Sequence, residues 1–95
     1  MGMRFEWDES KCLANLQKHG IDFIRAKEIW WGDVLEVPSP QEDHGEKRYL
    51  AYGRLEGRVV AVVYTWRGEA RRIISARRAR DYEREAYQDA FGRTP

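Results

Sequence analysis

The sequence predicts an α+β fold in which an antiparallel sheet packs against two N-terminal helices and a C-terminal helix. Five short segments have the alternating or continuous apolar pattern of β-strands, and turn residues separate the last four. Segments with helical spacing occur only after the first strand and at the end of the chain. The predicted order is β-α-α-β-β-β-β-α, and 95 residues suit one domain with a single core.

The N-terminal segment predicts a strand followed by a helix. Residues 3–7 alternate between apolar and charged side chains, which is the period of a strand with one buried face. Asp8 is a suitable N-cap for a helix over residues 9–19, and Gly20 is a suitable residue to end it. The predicted buried stripe of this helix is apolar and consists of Cys12, Leu13 and Leu16.

A second helix and four strands account for most of the remaining chain. Asp22 caps the helix, which we expect to continue to about residue 31. Its buried face is predicted to contain Phe23, Ala26, Ile29 and Trp30. The strands are predicted over residues 34–37, 48–55, 58–66 and 70–76.

Turns and loops are predicted between these strands. Residues 38–45 are polar and contain two prolines, which predicts a surface loop, and residues 56–57 predict a tight hairpin turn. A final helix is predicted over residues 79–91. Its predicted stripe consists of Ala79, Tyr82, Ala86 and Ala90, with Glu83 and Tyr87 beside it. We expect residues 3–91 to form the domain and residues 92–95 a short tail.

Positive charge is concentrated in one stretch of the chain. Charged residues make up 35% of the sequence, against about 25% in an average domain, yet the net charge is only +1. Residues 67–80 contain six arginines and one glutamate, which predicts an anion-binding face on a nearly neutral molecule. Three of these arginines are expected at the start of the last helix, where each cation costs about 0.3–1 kcal/mol. An external phosphate would explain them, although pairing with nearby or partner carboxylates remains an alternative.

Strand geometry predicts how these side chains are arranged. Ser75 and Arg77 should share one face of the last strand, unless a bulge intervenes, and Arg54 could join them. Lys11 and Lys18 are seven residues apart and can lie along one helix face. His19 suits proton transfer near neutral pH, with helix C-terminal capping as the alternative interpretation.

Several classes of protein and site are not expected. No apolar segment approaches the roughly 20 residues of a membrane span, so we expect a soluble cytoplasmic protein that does not contact membranes. Cys12 is the only cysteine, which excludes an intramolecular disulfide. His19 and His44 are distant and lack a cysteine or aspartate grouping, so no metal site is expected. No phosphate loop or cofactor fingerprint is present, and no cofactor is expected.

Motifs at both ends of the chain point to one family. They are F-E-W-D at residues 5–8, K-H-G at residues 18–20, Y-G-R at residues 52–54 and R-I-I-S-A-R-R-A at residues 72–79. Together they resemble the BrnT family, the toxin half of the BrnT/BrnA toxin–antitoxin modules. The resemblance extends from residue 3 to residue 87 and implies a fold similar to RelE-type ribonucleases.

The resemblance also implies an activity and a set of partners. The expected activity is metal-independent RNA cleavage that blocks translation, in which the ribose 2′-hydroxyl attacks the adjacent phosphate. The expected partner is a BrnA-like ribbon-helix-helix antitoxin that neutralises the toxin in a hetero-oligomer. Operator DNA would be contacted only indirectly, through that antitoxin.

Site residues are carried over by matching position. Arg77 and Arg54 would stabilise the phosphorane, and Lys11, Lys18 or His19 would transfer protons. The side chains expected to orient reacting groups are Ser75, Glu83 and Tyr87. Further RNA contacts are expected from basic and aromatic side chains, namely Lys18, Trp66, Arg72, Arg78 and Arg80, and Trp66 and Tyr87 could stack on unpaired bases.

Two other interpretations remain open. The sequence has no strong general base, so the arginine-rich face could belong to a non-catalytic module that holds structured RNA or an acidic antitoxin segment. A third interpretation is a structural protein that acts only together with its partner.

Overall fold

A five-stranded sheet with helices on both faces forms the framework of the computed structural model, which describes residues 2–43 and 45–92, with the backbone alone at residues 42 and 43. The elements in chain order are β1 (Arg4–Trp7), α1 (Glu9–His19), α2 (Phe23–Ala26) with a 3-10 turn (Lys27–Trp31), β2 (Leu35–Asp43), β3 (Glu46–Leu55), β4 (Arg58–Arg67), β5 (Ala70–Arg78) and α3 (Asp81–Phe91). The predicted α+β class and element order are confirmed. His44 and the predicted tail beyond residue 92 lie outside the described residues.

The sheet is mixed and not wholly antiparallel. Its strand order is β1-β5-β4-β3-β2, and the strands from β2 to β5 pair antiparallel through successive hairpins. The first strand pairs parallel with β5 instead. Its direction differs because two helices follow β1 and carry the chain to the opposite edge, so no hairpin sets its orientation.

The prediction of a surface loop over residues 38–45 is wrong for most of that segment. β2 extends to Asp43 and pairs with β3, with a register irregularity between Pro38 and Glu42. Proline is tolerated because β2 is an edge strand, where one side of the backbone needs no ladder partner. The polar composition of this segment therefore reflects an exposed edge strand.

The predicted bounds of α1 are confirmed. The Asp8 carboxylate accepts a hydrogen bond from the Ser10 N–H at 2.8 Å, and Gly20 ends the helix with a φ of 72°. The predicted buried stripe is only partly right, because Cys12 is buried whereas Leu13 and Leu16 are 58% and 41% exposed.

Asn15, and not Leu13 or Leu16, is the α1 side chain that is buried against the sheet together with Cys12. Its side-chain N–H groups donate to the Ala76 carbonyl at 2.9 Å and the Ile21 carbonyl at 2.8 Å. The Ala76 N–H donates back to the Asn15 Oδ1 at 3.1 Å. These bonds fix α1 against β5 through polar contacts, and a hydrophobicity pattern cannot predict such an arrangement.

The N-terminal helices cover one sheet face. The predicted buried face of the second helical segment is confirmed, with Phe23, Ala26, Ile29 and Trp30 all buried. Close packing requires a glycine in β3 at this point. A Cβ atom on Gly53 would lie 2.6 Å from the Ile29 Cβ, which is closer than side chains tolerate.

The opposite sheet face is only partly covered by α3. β5 continues through Arg78, so α3 begins at Asp81, two residues later than predicted. Its buried side chains are Glu83 and Tyr87, whereas Tyr82 is 62% exposed, so the predicted stripe is rotated. The sheet beside the start of α3 remains open, and this surface holds part of the candidate site described below.

A bulge in β5 decides which side chains reach that open face. Ser75 pairs with Val63, but the next pair is Ile73 with Tyr64, which leaves Ile74 as the extra residue. Ser75 and Arg77 share one face of β5, as predicted, and this is the sheet face that α3 partly covers.

Candidate functional site

The predicted arginines diverge at the junction between β5 and α3. Arg77 and Arg80 line a cleft on the open sheet face, whereas Arg78 lines a groove beside α3. The prediction that Arg77 and Arg78 begin a helix is wrong, because both belong to β5. Arg80 occupies the N-cap position of α3.

Arg77 is held by a buried carboxylate. Its two terminal nitrogens donate to the two Glu83 oxygens at 2.7 and 3.0 Å, and the Arg80 N–H donates to the same carboxylate at 2.8 Å. The Glu83 side chain is fully buried, with 0% exposure. Glu83 is therefore placed to position Arg77 and cannot itself contact a substrate.

The pKa shifts of these groups follow from this arrangement. Burial raises the pKa of Glu83, but hydrogen bonds from Arg77 and the Arg80 N–H outweigh it, and the pKa lies below the usual value. The hydrogen bond with Glu83 also raises the pKa of Arg77. Tyr52 shares this network: burial, followed by the Glu83 charge, raises its pKa to about 12. Glu83 is thus an ionised acceptor and Tyr52 a neutral donor.

A groove beside α3 contains four arginines. Its volume is about 350 Å³, and among the described residues no carboxylate lines it. The guanidinium groups belong to Arg54, Arg58, Arg78 and Arg84. Three of them are available to an external anion, because Arg84 alone has an ion pair within the described part of the chain, with the exposed Asp81.

Arg54 reaches this four-arginine groove from β3. Its guanidinium carbon lies 5.6 Å from the ring centroid of Tyr87, which is within cation–π range. Tyr87 is buried, and its hydroxyl donates to the Asp33 carbonyl at 3.0 Å. Tyr87 therefore lies beside Arg54, and its burial keeps the ring away from a base.

A larger cleft of about 620 Å³ adjoins the groove and contains His19. Arg58 and Arg78 line both cavities and so link them. Arg25 also lines the cleft but is neutralised by ion pairs with Glu28 and Glu56. His19, in the last turn of α1, therefore lines the same cleft as two arginines that have no ion pair with a described residue.

A third cleft, of about 250 Å³, lies on the open sheet face. Ser75, Arg77 and Arg80 line it, together with Arg48 and the exposed ring of Tyr82. We refer to it below as the Tyr82 cleft.

Four predicted residues lie away from these cavities. Lys11 and Lys18 are exposed on α1 and line none of the three. Arg72 donates to Glu6 at 2.7 Å. Trp66 lies on the sheet face covered by the N-terminal helices, where the Arg71 guanidinium is 4.6 Å from its ring centroid.

Arg71 has a structural role within the basic stretch. Its guanidinium lies between the rings of Trp30, Tyr64 and Trp66, at 4.6 to 5.4 Å from their centroids. It also pairs with Glu36 at 3.3 Å, and only 13% of its side chain is exposed. It is therefore unavailable to a large anionic ligand.

Sequence reasoning missed several residues of these surfaces, namely Arg48, Tyr52, Arg58, Tyr82 and Arg84. A signal existed for one of them: the hairpin predicted at residues 56–57 places Arg58 beside the end of β3 that carries Arg54. The others depend on where α3 begins and on which of its sides faces the sheet.

The comparisons with known proteins decide the family. A model of the ribonuclease toxin BrnT of type II toxin–antitoxin systems matches residues 7–83. The chain belongs to the BrnT family. A similar solved structure is the crystal structure of the Brucella abortus ribonuclease toxin BrnT, which is 30% identical, with a TM-score of 0.63. The match covers 84% of this chain and 100% of the Brucella chain. No curated protein sequence matched.

Family membership indicates that this chain has a protein partner. A type II toxin has an antitoxin as its partner. Among the residues described, no helix of this BrnT chain combines the length and the hydropathy that crossing a membrane requires. In the same residues, no cluster of histidine, cysteine, aspartate and glutamate could hold a metal ion.

Proposed function

We propose that this BrnT chain is an endoribonuclease that cleaves RNA without a metal ion and thereby blocks translation. The four-arginine groove carries the proposal, because Arg54, Arg58 and Arg78 offer guanidinium groups that no carboxylate neutralises in the described part of the chain. Guanidinium groups bind phosphate in a bidentate manner and stay charged at all relevant pH values. They can therefore stabilise the negative charge that develops on a phosphodiester during cleavage.

The proposed reaction is an internal transfer at phosphorus. The 2′-hydroxyl loses its proton and its oxygen bonds to the adjacent phosphorus, which gives a phosphorane held by the groove arginines. The bond from phosphorus to the 5′-oxygen then breaks, and that oxygen takes up a proton. The products are a 2′,3′-cyclic phosphate and a 5′-hydroxyl. His19 exchanges these protons, since its cleft shares Arg58 and Arg78 with the groove.

We further propose that a BrnA-like ribbon-helix-helix antitoxin neutralises the activity in a hetero-oligomer. Membership in a type II toxin family supports an antitoxin partner. The antitoxin is expected to place carboxylates on the groove arginines and so exclude RNA. Operator DNA would then be bound by the antitoxin and not by this chain.

The test is an RNA-cleavage assay with the purified chain in EDTA. We expect fragments ending in a 2′,3′-cyclic phosphate and a 5′-hydroxyl, and no cleavage where the ribose at the cleaved position is 2′-deoxy. Cleavage that EDTA abolishes would contradict the metal-independent mechanism. Tight RNA binding without cleavage would instead favour a non-catalytic module, a function consistent with the absence of an acid–base side chain among the described groove residues.

A further inference from the structure

The Tyr82 cleft has the composition of a nucleotide-binding site. Leu50 and Val63, paired in neighbouring strands, give it an apolar floor. The ring of Tyr82, which is 62% exposed and forms no aromatic pair with a described residue, stands at the start of α3. The cations that line the cleft are Arg48, Arg77 and Arg80.

We propose that this cleft binds an unpaired RNA base stacked on Tyr82, so that single-stranded RNA is the substrate class. The inference rests on the proposed ribonuclease function and extends it to substrate recognition. Within an RNA duplex, neighbouring base pairs cover both faces of a base. A base must therefore be unpaired and unstacked before it can stack on the ring of a protein side chain. An exposed tyrosine beside guanidinium groups is the combination used to bind single strands.

The remaining lining groups suit the other parts of a nucleotide. Arg80 has no ion pair with a described residue and is available to a phosphate. Arg77 is fixed by Glu83, so its position is set before a ligand arrives. Ser75 and Gln41 offer a hydroxyl and an amide, which can donate and accept hydrogen bonds at a base edge.

Neighbouring residues of one short segment line the Tyr82 cleft and the four-arginine groove. Arg78 lines the groove and Arg80 lines the cleft, with only Ala79 between them. An RNA strand that crosses the start of α3 can therefore reach both surfaces. This path places a recognised base in the cleft while a neighbouring phosphate lies in the groove.

The experiment measures binding, which separates this inference from cleavage. The probe is a single-stranded oligonucleotide with 2′-O-methyl riboses, which cannot be cleaved by 2′-hydroxyl attack. We expect Tyr82→Ala to weaken its binding about 5- to 100-fold, whereas Tyr82→Phe, which keeps the stacking ring, changes it less than about twofold. The wild-type chain, Tyr82→Ala and Tyr82→Phe are expected to bind a duplex of the same sequence with equal affinity. Thermal unfolding of each variant checks that the fold is retained.

A scan of abasic positions locates the stacked base. For the wild-type chain, removing one particular base should weaken binding as much as Tyr82→Ala does. For Tyr82→Ala, removing that base should have no further effect. Unchanged single-strand binding by Tyr82→Ala, or an equal loss for the duplex, would overturn the inference. Neither result would affect cleavage in EDTA, on which the proposed function depends.

Discussion

Replacing Arg77 with alanine is expected to lower the free energy of unfolding by about 3–5 kcal/mol, because it leaves the charge of Glu83 buried without its main partner. The side chain of Glu83 is 0% exposed and accepts two bonds from Arg77 at 2.7 and 3.0 Å. A domain of this size is stable by only about 5–15 kcal/mol, so the loss is large. Urea unfolding followed by tryptophan fluorescence should give a lower midpoint with an unchanged slope.

Two variants separate the ion pair from the loss of a charge. Arg78→Ala removes the next arginine, which is exposed and has no ion pair with a described residue, and should change stability by less than about 0.5 kcal/mol. Arg77→Met combined with Glu83→Leu removes both charges and should restore part of the stability. The remainder stays lost because the Arg80 N–H and the Tyr52 hydroxyl no longer have the Glu83 carboxylate as acceptor. If Arg77→Ala unfolds at the wild-type urea concentration, the pair contributes little. If Arg77→Ala is destabilised as expected, a loss of RNA cleavage by this variant reflects the loss of stability as well as any catalytic role of Arg77.

Replacing His19 with glutamine is expected to lower the maximal rate of RNA cleavage about 100- to 10,000-fold, which is the usual range for losing an acid–base group. His19 lines the cleft that shares Arg58 and Arg78 with the four-arginine groove. The phosphate-binding guanidinium groups are untouched, so affinity for RNA should remain close to that of the wild type. Single-turnover cleavage and equilibrium binding measure the two quantities separately.

Lys47→Gln is the matched control for His19→Gln. Lys47 is an exposed cation near the end of β3 opposite Arg54 and lines none of the cavities described. The control should cleave and bind RNA as the wild type does. A His19→Gln variant that cleaves at the wild-type rate would remove this histidine from the mechanism and leave it as the basic residue of the last turn of α1.

The sequence predicts the elements of this fold better than the faces of its helices. The caps Asp8 and Gly20 are local signals, and the bounds of α1 follow from them. Its buried face does not follow from apolar spacing, because the position against β5 is taken by the amide of Asn15. In α3, Glu83 is likewise drawn inward by an ion pair with a residue outside the helix.

The sequence predicts the chemistry of the candidate site but not which of its side chains line the same cavity. An arginine-rich stretch indicates an anion-binding surface, and alternation along β5 correctly joins Ser75 with Arg77. Tertiary contacts decide which arginines are available. Arg71 is enclosed by three aromatic rings and Arg77 is bound to Glu83, whereas Arg58, outside the basic stretch, lies in the groove.

The salt dependence of RNA binding tests most directly whether the four-arginine groove holds the RNA backbone. For single strands, the logarithm of affinity falls with the logarithm of salt concentration by about 0.7 for each phosphate contact. Arg58→Ala combined with Arg78→Ala should therefore reduce the slope by about 1.4, measured with an uncleavable oligonucleotide. Arg4→Ala combined with Lys47→Ala removes two exposed cations elsewhere and should leave the slope unchanged. Equal slopes for the groove variant and the wild type would contradict the proposed site.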